Sequence, residues 1–339
     1  MAPQHGPRPL PLFLDMLRSE TAAFPTRQAN ALAGLRRYQE APRTARRMAK
    51  ARRRRGRGRL RDYGGTGRPV VVVPSLINPP FILDLMPGRS LMRWLAAQGV
   101  HAWLLDWGEP EPADRALDIA GHVERILLPM LRRFPVPPVL VGYCLGGTMS
   151  IAAAASGACA GVATIAAPWR FSGYGAARAD IGKLWEAAQP GCEQLGLVPM
   201  EVLQTGFWRL DPARTIAKFE AFAEMTDDAA AMFVAMEDWA NGGAPLTYAA
   251  GVELFERLLL ADAPGEGRWH VAGGAVDLGA LACPAVEFVS LSDRIVPAAT
   301  AIGLANRYDL GAGHVGMVVG SRAEAQLWTP LRDWIVALP

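Results

Sequence analysis

From Pro69 onward the chain reads as short, unbroken apolar runs separated by amphipathic stretches. The runs at 70–73, 101–105, 139–141 and 162–166 lack the in-and-out alternation of a half-solvated sheet, so they predict strands covered on both faces. Helical periodicity fills the gaps at 91–97, 116–134 and 148–155. Strand and helix in strict alternation predict an α/β fold: a mostly parallel, doubly wound sheet.

Between 170 and 268 the strand signal disappears. Helical stretches at 180–188, 199–208, 212–224, 228–239 and 248–260 take its place. An excursion of that length is too long for a loop and predicts a helical lid inserted into the core. The α/β pattern resumes with a strand at 285–290, a helix at 300–306, a strand at 307–310 and a closing helix at 322–337. The uncharged stretch 134–167 is long enough to span a bilayer. Its prolines and glycines, and its alanine-rich remainder, fit a buried strand, tight turn and buried helix better.

Charge divides the chain differently. Residues 1–68 carry 17 basic and 4 acidic side chains, whereas 69–339 carry 18 and 28. The expected organisation is therefore a basic N-terminal arm at 1–68, a core at 69–339 and a lid within it at 170–268. The arm contains one predicted helix at 26–39, then a run at 43–61 with 11 basic residues and no acid. Such runs attract polyanions through counterion release, but with no aromatic residue interleaved, base stacking has no platform. That argues against sequence-specific nucleic-acid binding and leaves a solvated arm or an electrostatic contact with nucleic acid, anionic lipid or an acidic partner. At 339 residues and 51% hydrophobic, disordered and collagen-like classes are excluded. Four cysteines are too few for a disulfide framework, and the first twenty residues lack a secretory pattern, so a cytoplasmic protein without a transmembrane segment is expected.

The chemistry centres on Gly142-Tyr143-Cys144-Leu145-Gly146-Gly147, which follows an apolar strand and precedes a small-residue helix. This is the context of a nucleophile elbow, where a sharp turn lifts the nucleophile clear of the sheet. A helix N-terminus beneath Cys144 favours thiolate over thiol. The backbone N–H of Leu145 is the expected oxyanion donor, with a second from the loop after the first strand, at Leu76. A thiol nucleophile needs a base, and the base an orienting acid, in the chain order nucleophile, acid, base. Asp293 follows a strand and His314 lies in a glycine-rich loop after the last strand, so both stand in that order. Asp84 and Asp106 are read as backbone or capping partners, and Asp227 and Asp228 as a helix N-cap pair. No metal-ligand spacing, dinucleotide fingerprint or P-loop occurs, so neither metal nor cofactor is expected.

These residues resemble the polyhydroxyalkanoate synthases of the α/β-hydrolase superfamily, most closely the short class III catalytic subunit. The likeness runs through Pro74-Ser75-Leu76-Ile77-Asn78-Pro79-Pro80-Phe81-Ile82-Leu83-Asp84-Leu85, Leu104-Leu105-Asp106-Trp107-Gly108, the elbow, and Met236-Glu237-Asp238-Trp239-Ala240-Asn241-Gly242-Gly243. It implies an α/β-hydrolase fold and a Cys144, His314, Asp293 triad. Cys144 would carry the acyl chain as a thioester, His314 would activate it, and Asp293 would orient His314 or assist the incoming 3-hydroxyl. The implied reaction polymerises (R)-3-hydroxyacyl-CoA with release of CoA, which serves as substrate rather than cofactor. Asn78, Arg294 and Trp239 are the candidate substrate contacts. Arg294 stands where the family usually has histidine, and the interval from Asp293 to His314 is short for it. The partners implied are acyl-CoA, a second synthase subunit, further copies of the chain and the surface of a polyester granule. Two other readings stand beside this one. The same elbow occurs in dienelactone hydrolases, so a cysteine hydrolase, thioesterase or polyester depolymerase is one. A catalytically silent granule-associated homologue is the other.

Overall fold

The computed structural model describes residues 5–42 and 46–339. The chain divides into two compact units, Met1–Arg47 with Pro199–Gly243, and Met48–Val198 with Ala244–Pro339.

The larger unit is built on an eight-stranded sheet. Its strands are β1 (Ala51–Arg55), β2 (Gly58–Asp62), β3 (Pro69–Val73), β4 (His101–Asp106), β5 (Val139–Tyr143), β6 (Gly161–Ile165), β7 (Ala285–Ser290) and β8 (Arg307–Leu310). They lie in the order β1-β2-β4-β3-β5-β6-β7-β8. From β4 to β8 every pairing is parallel, while β2 runs antiparallel to β4 and β1 antiparallel to β2. β5 and β6 are buried along their whole length, as continuous apolar runs require, with helices as crossovers. Two two-residue ribbons, Leu197–Val198 with Leu246–Thr247 and His270–Val271 with Gly274–Ala275, complete its strands.

The smaller unit is helical. Leu10–Thr21, Pro25–Glu40, Met200–Leu210, Pro212–Phe222 and Asp227–Ala240 surround a core of Phe13, Leu17, Leu35, Tyr38, Trp208, Ile216, Phe219, Phe222 and Phe233. The aromatic rings meet edge to face or stacked, Phe13 on Phe219 at 4.8 Å and Phe222 on Phe233 at 4.1 Å, a geometry that adds to simple area burial. Gly34 lets Pro25–Glu40 press onto Pro212–Phe222, since a Cβ there would lie 1.9 Å from the Phe219 carbonyl oxygen. Lys218 pairs at 2.6 Å with the buried Glu237, and Arg27 grips Glu220 through two hydrogen bonds.

The boundary expected at residue 68 is corrected by this architecture. Residues 51–62 are not an arm but the outer hairpin of the sheet, turning at Gly56, whose φ is +54°. Arginine can occupy such strands because its stem packs while its head reaches water. Arg53 lies on the rings of Trp103 and Phe134, its guanidinium carbon 4.9 and 4.0 Å from their centroids, while Arg52, Arg54 and Arg55 face solvent. A charged edge strand also discourages pairing with a second sheet. Residues 43–45 of the basic run lie outside the described residues. His5 is buried in the helical unit, with Nδ1 2.6 Å from Asp238 Oδ1 and Nε2 3.0 Å from the Ala41 carbonyl oxygen.

The helices expected between 170 and 268 are present but divide between the units, with 199–243 in the helical one. The helix expected at 300–306 is absent. Glu287, buried on β7, accepts the N–H groups of Gly303 and Leu304, and Gly303 adopts φ +85°, which breaks any helix there. Asp227 and Asp228 occupy the first turn of their helix, and Thr226 is the N-cap residue. Among the described residues no helix is long and apolar enough to cross a membrane.

Candidate active site

β5 ends at Tyr143, and the helix Leu145–Ala155 begins one residue after Cys144. The whole reversal falls on Cys144, at φ +55° and ψ −132°, a region that costs a residue with a Cβ about 1–3 kcal/mol and persists only where surroundings impose it. The imposition is visible. Cys144 N–H donates to the Ile165 carbonyl at 2.9 Å, and its own carbonyl accepts from Gly147 at 2.8 Å. The adjoining glycines admit no side chain: a Cβ at Gly142 would lie 2.4 Å from Gly147 Cα, and one at Gly146 2.2 Å from the Val73 carbonyl oxygen. Helix and strand therefore pack backbone to backbone, and Cys144 is left half-buried on the turn.

His314 is 6% exposed and its Nδ1 lies 2.6 Å from Asp293 Oδ2. Nδ1 being taken, Nε2 remains open, and Cys144 lies close enough to act on the titration of the imidazole. Asp293 is held in turn: its Oδ1 accepts from the backbone N–H groups of Ile295 at 2.8 Å and Val296 at 3.0 Å. With both carboxylate oxygens engaged, Asp293 is built to orient the imidazole. Burial works to keep His314 neutral, but the neighbouring charges of Asp293 and Cys144, and its hydrogen bonds to both, prevail and raise it from 6.5 to about 10. Near neutral pH His314 is thus held as an imidazolium.

Two tyrosines that sequence reasoning gave no role support this line. Tyr143 lays its ring against His314, centroids 5.0 Å apart, and donates its hydroxyl to the His314 carbonyl at 3.2 Å. Tyr174 donates to the Ile295 carbonyl at 2.9 Å and so braces the loop that follows Asp293. Both phenols are driven well above their ordinary pKa, first by burial and then by the charges of Cys144 and Asp293, so both stay neutral donors. Tyr143 stood in the elbow motif and could have been noticed there. Tyr174 had no sequence signal.

The remaining expected residues fall as follows. Leu145 opens the elbow helix, whose first-turn N–H groups lack intrahelical acceptors. Leu76 lies buried in the loop after β3, where Ile77 N–H donates to Ser75 Oγ at 3.1 Å, and this is the loop whose start Gly146 abuts, Pro74 O being 2.5 Å from its virtual Cβ. Asn78 is half-buried in the same loop, and Arg294 is exposed beside Asp293. Trp239 is buried on Asp227–Ala240 and belongs to the helical unit. Asp84 and Asp106 are structural. Asp84 takes Arg93 at 2.8 Å, Ser90 at 2.7 Å and Tyr63 at 2.8 Å, and Asp106 takes Arg61. His122 is buried and pushed down to about 4, chiefly by that burial, and His101 sits 3.2 Å from Asp62.

No family model matches the chain. Among curated proteins it is similar to the poly(3-hydroxyalkanoate) polymerase subunit PhaC of Haloferax mediterranei, 29% identical over 285 residues, covering 78% of this chain and 58% of that protein. The subunit of the same name from Allochromatium vinosum is 26% identical over 288 residues, covering 79% of this chain and 80% of that one. The similarity to poly(3-hydroxyalkanoate) polymerase subunits thus runs through nearly four-fifths of this chain. The chain spans about six-tenths of the length of the Haloferax and Haloarcula marismortui relatives, 58% and 60%. Solved structures agree on the fold. A Bacillus megaterium epoxide hydrolase superposes with a TM-score of 0.53 at 12% identity, over 82% of this chain and 95% of that one. The α/β hydrolase GrgF from Penicillium does so at 0.50 and 18%, over 83% and 93%. The fold is that of the α/β-hydrolases, as the synthase resemblance implied.

Proposed function

We propose that this chain is an acyltransferase that polymerises (R)-3-hydroxyacyl-CoA with release of CoA through a Cys144, His314, Asp293 triad. The observation that carries the reading is the 2.6 Å contact of His314 with Asp293, with Cys144 on the elbow close enough to act on that imidazole, in a chain similar to polymerase subunits. In this reading the Cys144 thiolate attacks the thioester carbonyl, the N–H of Leu145 and that of Leu76 receive the oxyanion, and CoA leaves as its thiol with the proton of His314. Exchange of one thioester for another is nearly isoenergetic, so the acyl group is stored rather than lost.

The electrostatics supply the next step. Acylation removes the Cys144 charge, and with it two of the influences that raise His314, while burial, which lowers it, remains. The imidazole therefore becomes a base when an incoming 3-hydroxyl needs one, with Asp293 holding its orientation. Transfer of the chain to that hydroxyl lengthens the polyester and returns the thiolate. Arg294, exposed beside the triad loop, and Asn78 are the substrate contacts proposed for the CoA end. A second synthase subunit, further copies of this chain and a polyester granule are its proposed partners.

The test is incubation of the protein with (R)-3-hydroxybutyryl-CoA, alone and with a class III partner subunit, while CoA release is followed and insoluble polyester is weighed. Polymer formed by the wild type and lost in Cys144→Ala is expected. CoA release yielding only free hydroxy acid would replace the synthase by a thioesterase, and no release across several chain lengths would replace it by a silent homologue.

A further inference from the structure

The four thiols of the chain are not equivalent. Cys159 sits in the loop leading into β6, and Cys283 in the segment leading into β7, the strand paired with it in parallel through Ala285 and Val162. Their sulfurs are 3.8 Å apart although 124 residues separate them in sequence. Both are free thiols, Cys283 half-exposed and Cys159 buried. Cys144 occupies the opposite, C-terminal end of the strands, about 16 Å away at roughly 3.3 Å per residue. The pair is thus outside the catalytic constellation, and nothing in the proposed function uses it.

We propose that Cys159 and Cys283 form an oxidisable dithiol, in which Cys283 attacks a hydroperoxide and Cys159 resolves the product into an intramolecular disulfide. Geometry assigns the order, since only Cys283 is open to a reagent from solution and only Cys159 lies against its sulfur. Electrostatics agree. The hydrogen bond between the two thiols pulls Cys283 down to about 7 against the effect of burial, while the same bond and burial drive Cys159 upward. Reactive thiols are accessible ones with thiolate character. With a hydroperoxide, the Cys283 thiolate bonds to the terminal oxygen, the O–O bond breaks and the leaving oxide takes up a proton, giving a sulfenic acid. The Cys159 sulfur then bonds to the Cys283 sulfur, its own proton and the displaced hydroxide leave as water, and the two thiols have given two electrons to the peroxide. The product would clamp the loop after the elbow helix to the base of β7, the strand that leads to Asp293.

The experiment treats the full, reduced protein with limiting hydrogen peroxide, quenches in acid with an alkylating agent and maps the peptides. The expected result is one Cys159–Cys283 disulfide, lighter by two hydrogen atoms and reversed by dithiothreitol, with Cys192 still alkylated. In Cys159→Ser, Cys283 should accumulate as sulfenic or sulfinic acid under the same dose. Cys283→Ala provides a second variant at the half-exposed position, and there Cys159 should remain a thiol. The proposal is overturned if wild-type Cys159 and Cys283 are both recovered alkylated when Cys144 is oxidised, or if wild-type Cys283 proceeds to sulfinic acid as readily as in Cys159→Ser. Because the readout is covalent mass, its failure and the failure of the synthase reading are distinguishable.

Discussion

Gly146→Ala is the sharpest probe of the elbow. The added methyl would lie 2.2 Å from the Val73 carbonyl oxygen and 2.5 Å from that of Pro74, the first of these 0.8 Å inside the 3.0 Å approach below which real Cβ contacts do not occur. Both neighbours are backbone atoms at the end of β3, so no side chain can rotate away. The elbow helix must shift or the β3 loop must give, and overpacking of this kind costs about 1–3 kcal/mol. At roughly 2–4 °C per kcal/mol for chains of this order, the melting temperature should fall by several degrees. The shift also moves Cys144 relative to His314 and the N–H of Leu145, and a 1 Å displacement of a reacting group can cost about a hundredfold in rate. The internal comparison is Gly191→Ala. Gly191 lies inside Ala177–Leu195, nothing would come within 4 Å of its Cβ, and alanine there should stabilise by about 0.5–1 kcal/mol. Thermal melts and the rate of Cys144 alkylation by iodoacetamide, measured on both variants, decide the matter. Equal melting temperatures, or an unchanged alkylation rate in Gly146→Ala, would refute the packing argument.

Other consequences are equally open to measurement. In Asp293→Asn the charge-assisted bond to Nδ1, worth about 1.5–3 kcal/mol, is lost, so the His314 titration followed by imidazole NMR should move down from about 10 by roughly one to two units; an unmoved titration would remove Asp293 as the source of the shift. Because His314 titrates near 10 in the folded chain and ordinarily at 6.5, its contribution to stability is complete below pH 6.5 and is lost as pH rises through 10. The melting temperature of the wild type should therefore decline over that window more steeply than that of His314→Gln, and parallel curves would contradict the assignment. In the helical unit, Lys218→Met leaves the buried Glu237 without its partner and should cost about 2–4 kcal/mol by denaturant melts, with much of that recovered in Lys218→Met/Glu237→Gln; no recovery in the double variant would show that the charge is not the cause.

The parts of this molecule that could be read from sequence are those where local pattern and tertiary role coincide. The runs ending at Val73, Leu105 and Ser290 are strands because a sheet covered on both faces needs continuous apolar residues, and Cys144 stands out because an apolar strand meets a helix of small residues across two glycines. The errors arise where those levels part. β1 and β2 are arginine-rich and carry no hydrophobic period, since Arg53 packs by its stem and guanidinium face on Trp103 and Phe134. The stretch at 300–306 has helical composition, but Glu287, brought close by β7, binds its backbone in another form. Helices 10–21 and 25–40 share a core with residues 208–234, a pairing set by contacts across nearly two hundred residues that no local period encodes. Within the site, Asp293 and His314 were legible through chain order, whereas the bracing hydroxyl of Tyr174 and the meeting of Cys159 with Cys283 exist only in three dimensions.

The central claim is that Cys144 carries the acyl chain. Brief incubation with (R)-3-hydroxybutyryl-CoA, acid quenching and peptide mass mapping test it directly. The account predicts a hydroxybutyryl group, or a short oligomer of it, on the peptide containing Cys144, labile to hydroxylamine and absent in Cys144→Ala. Release of CoA with that peptide unmodified, or with the acyl group on another residue, would contradict it.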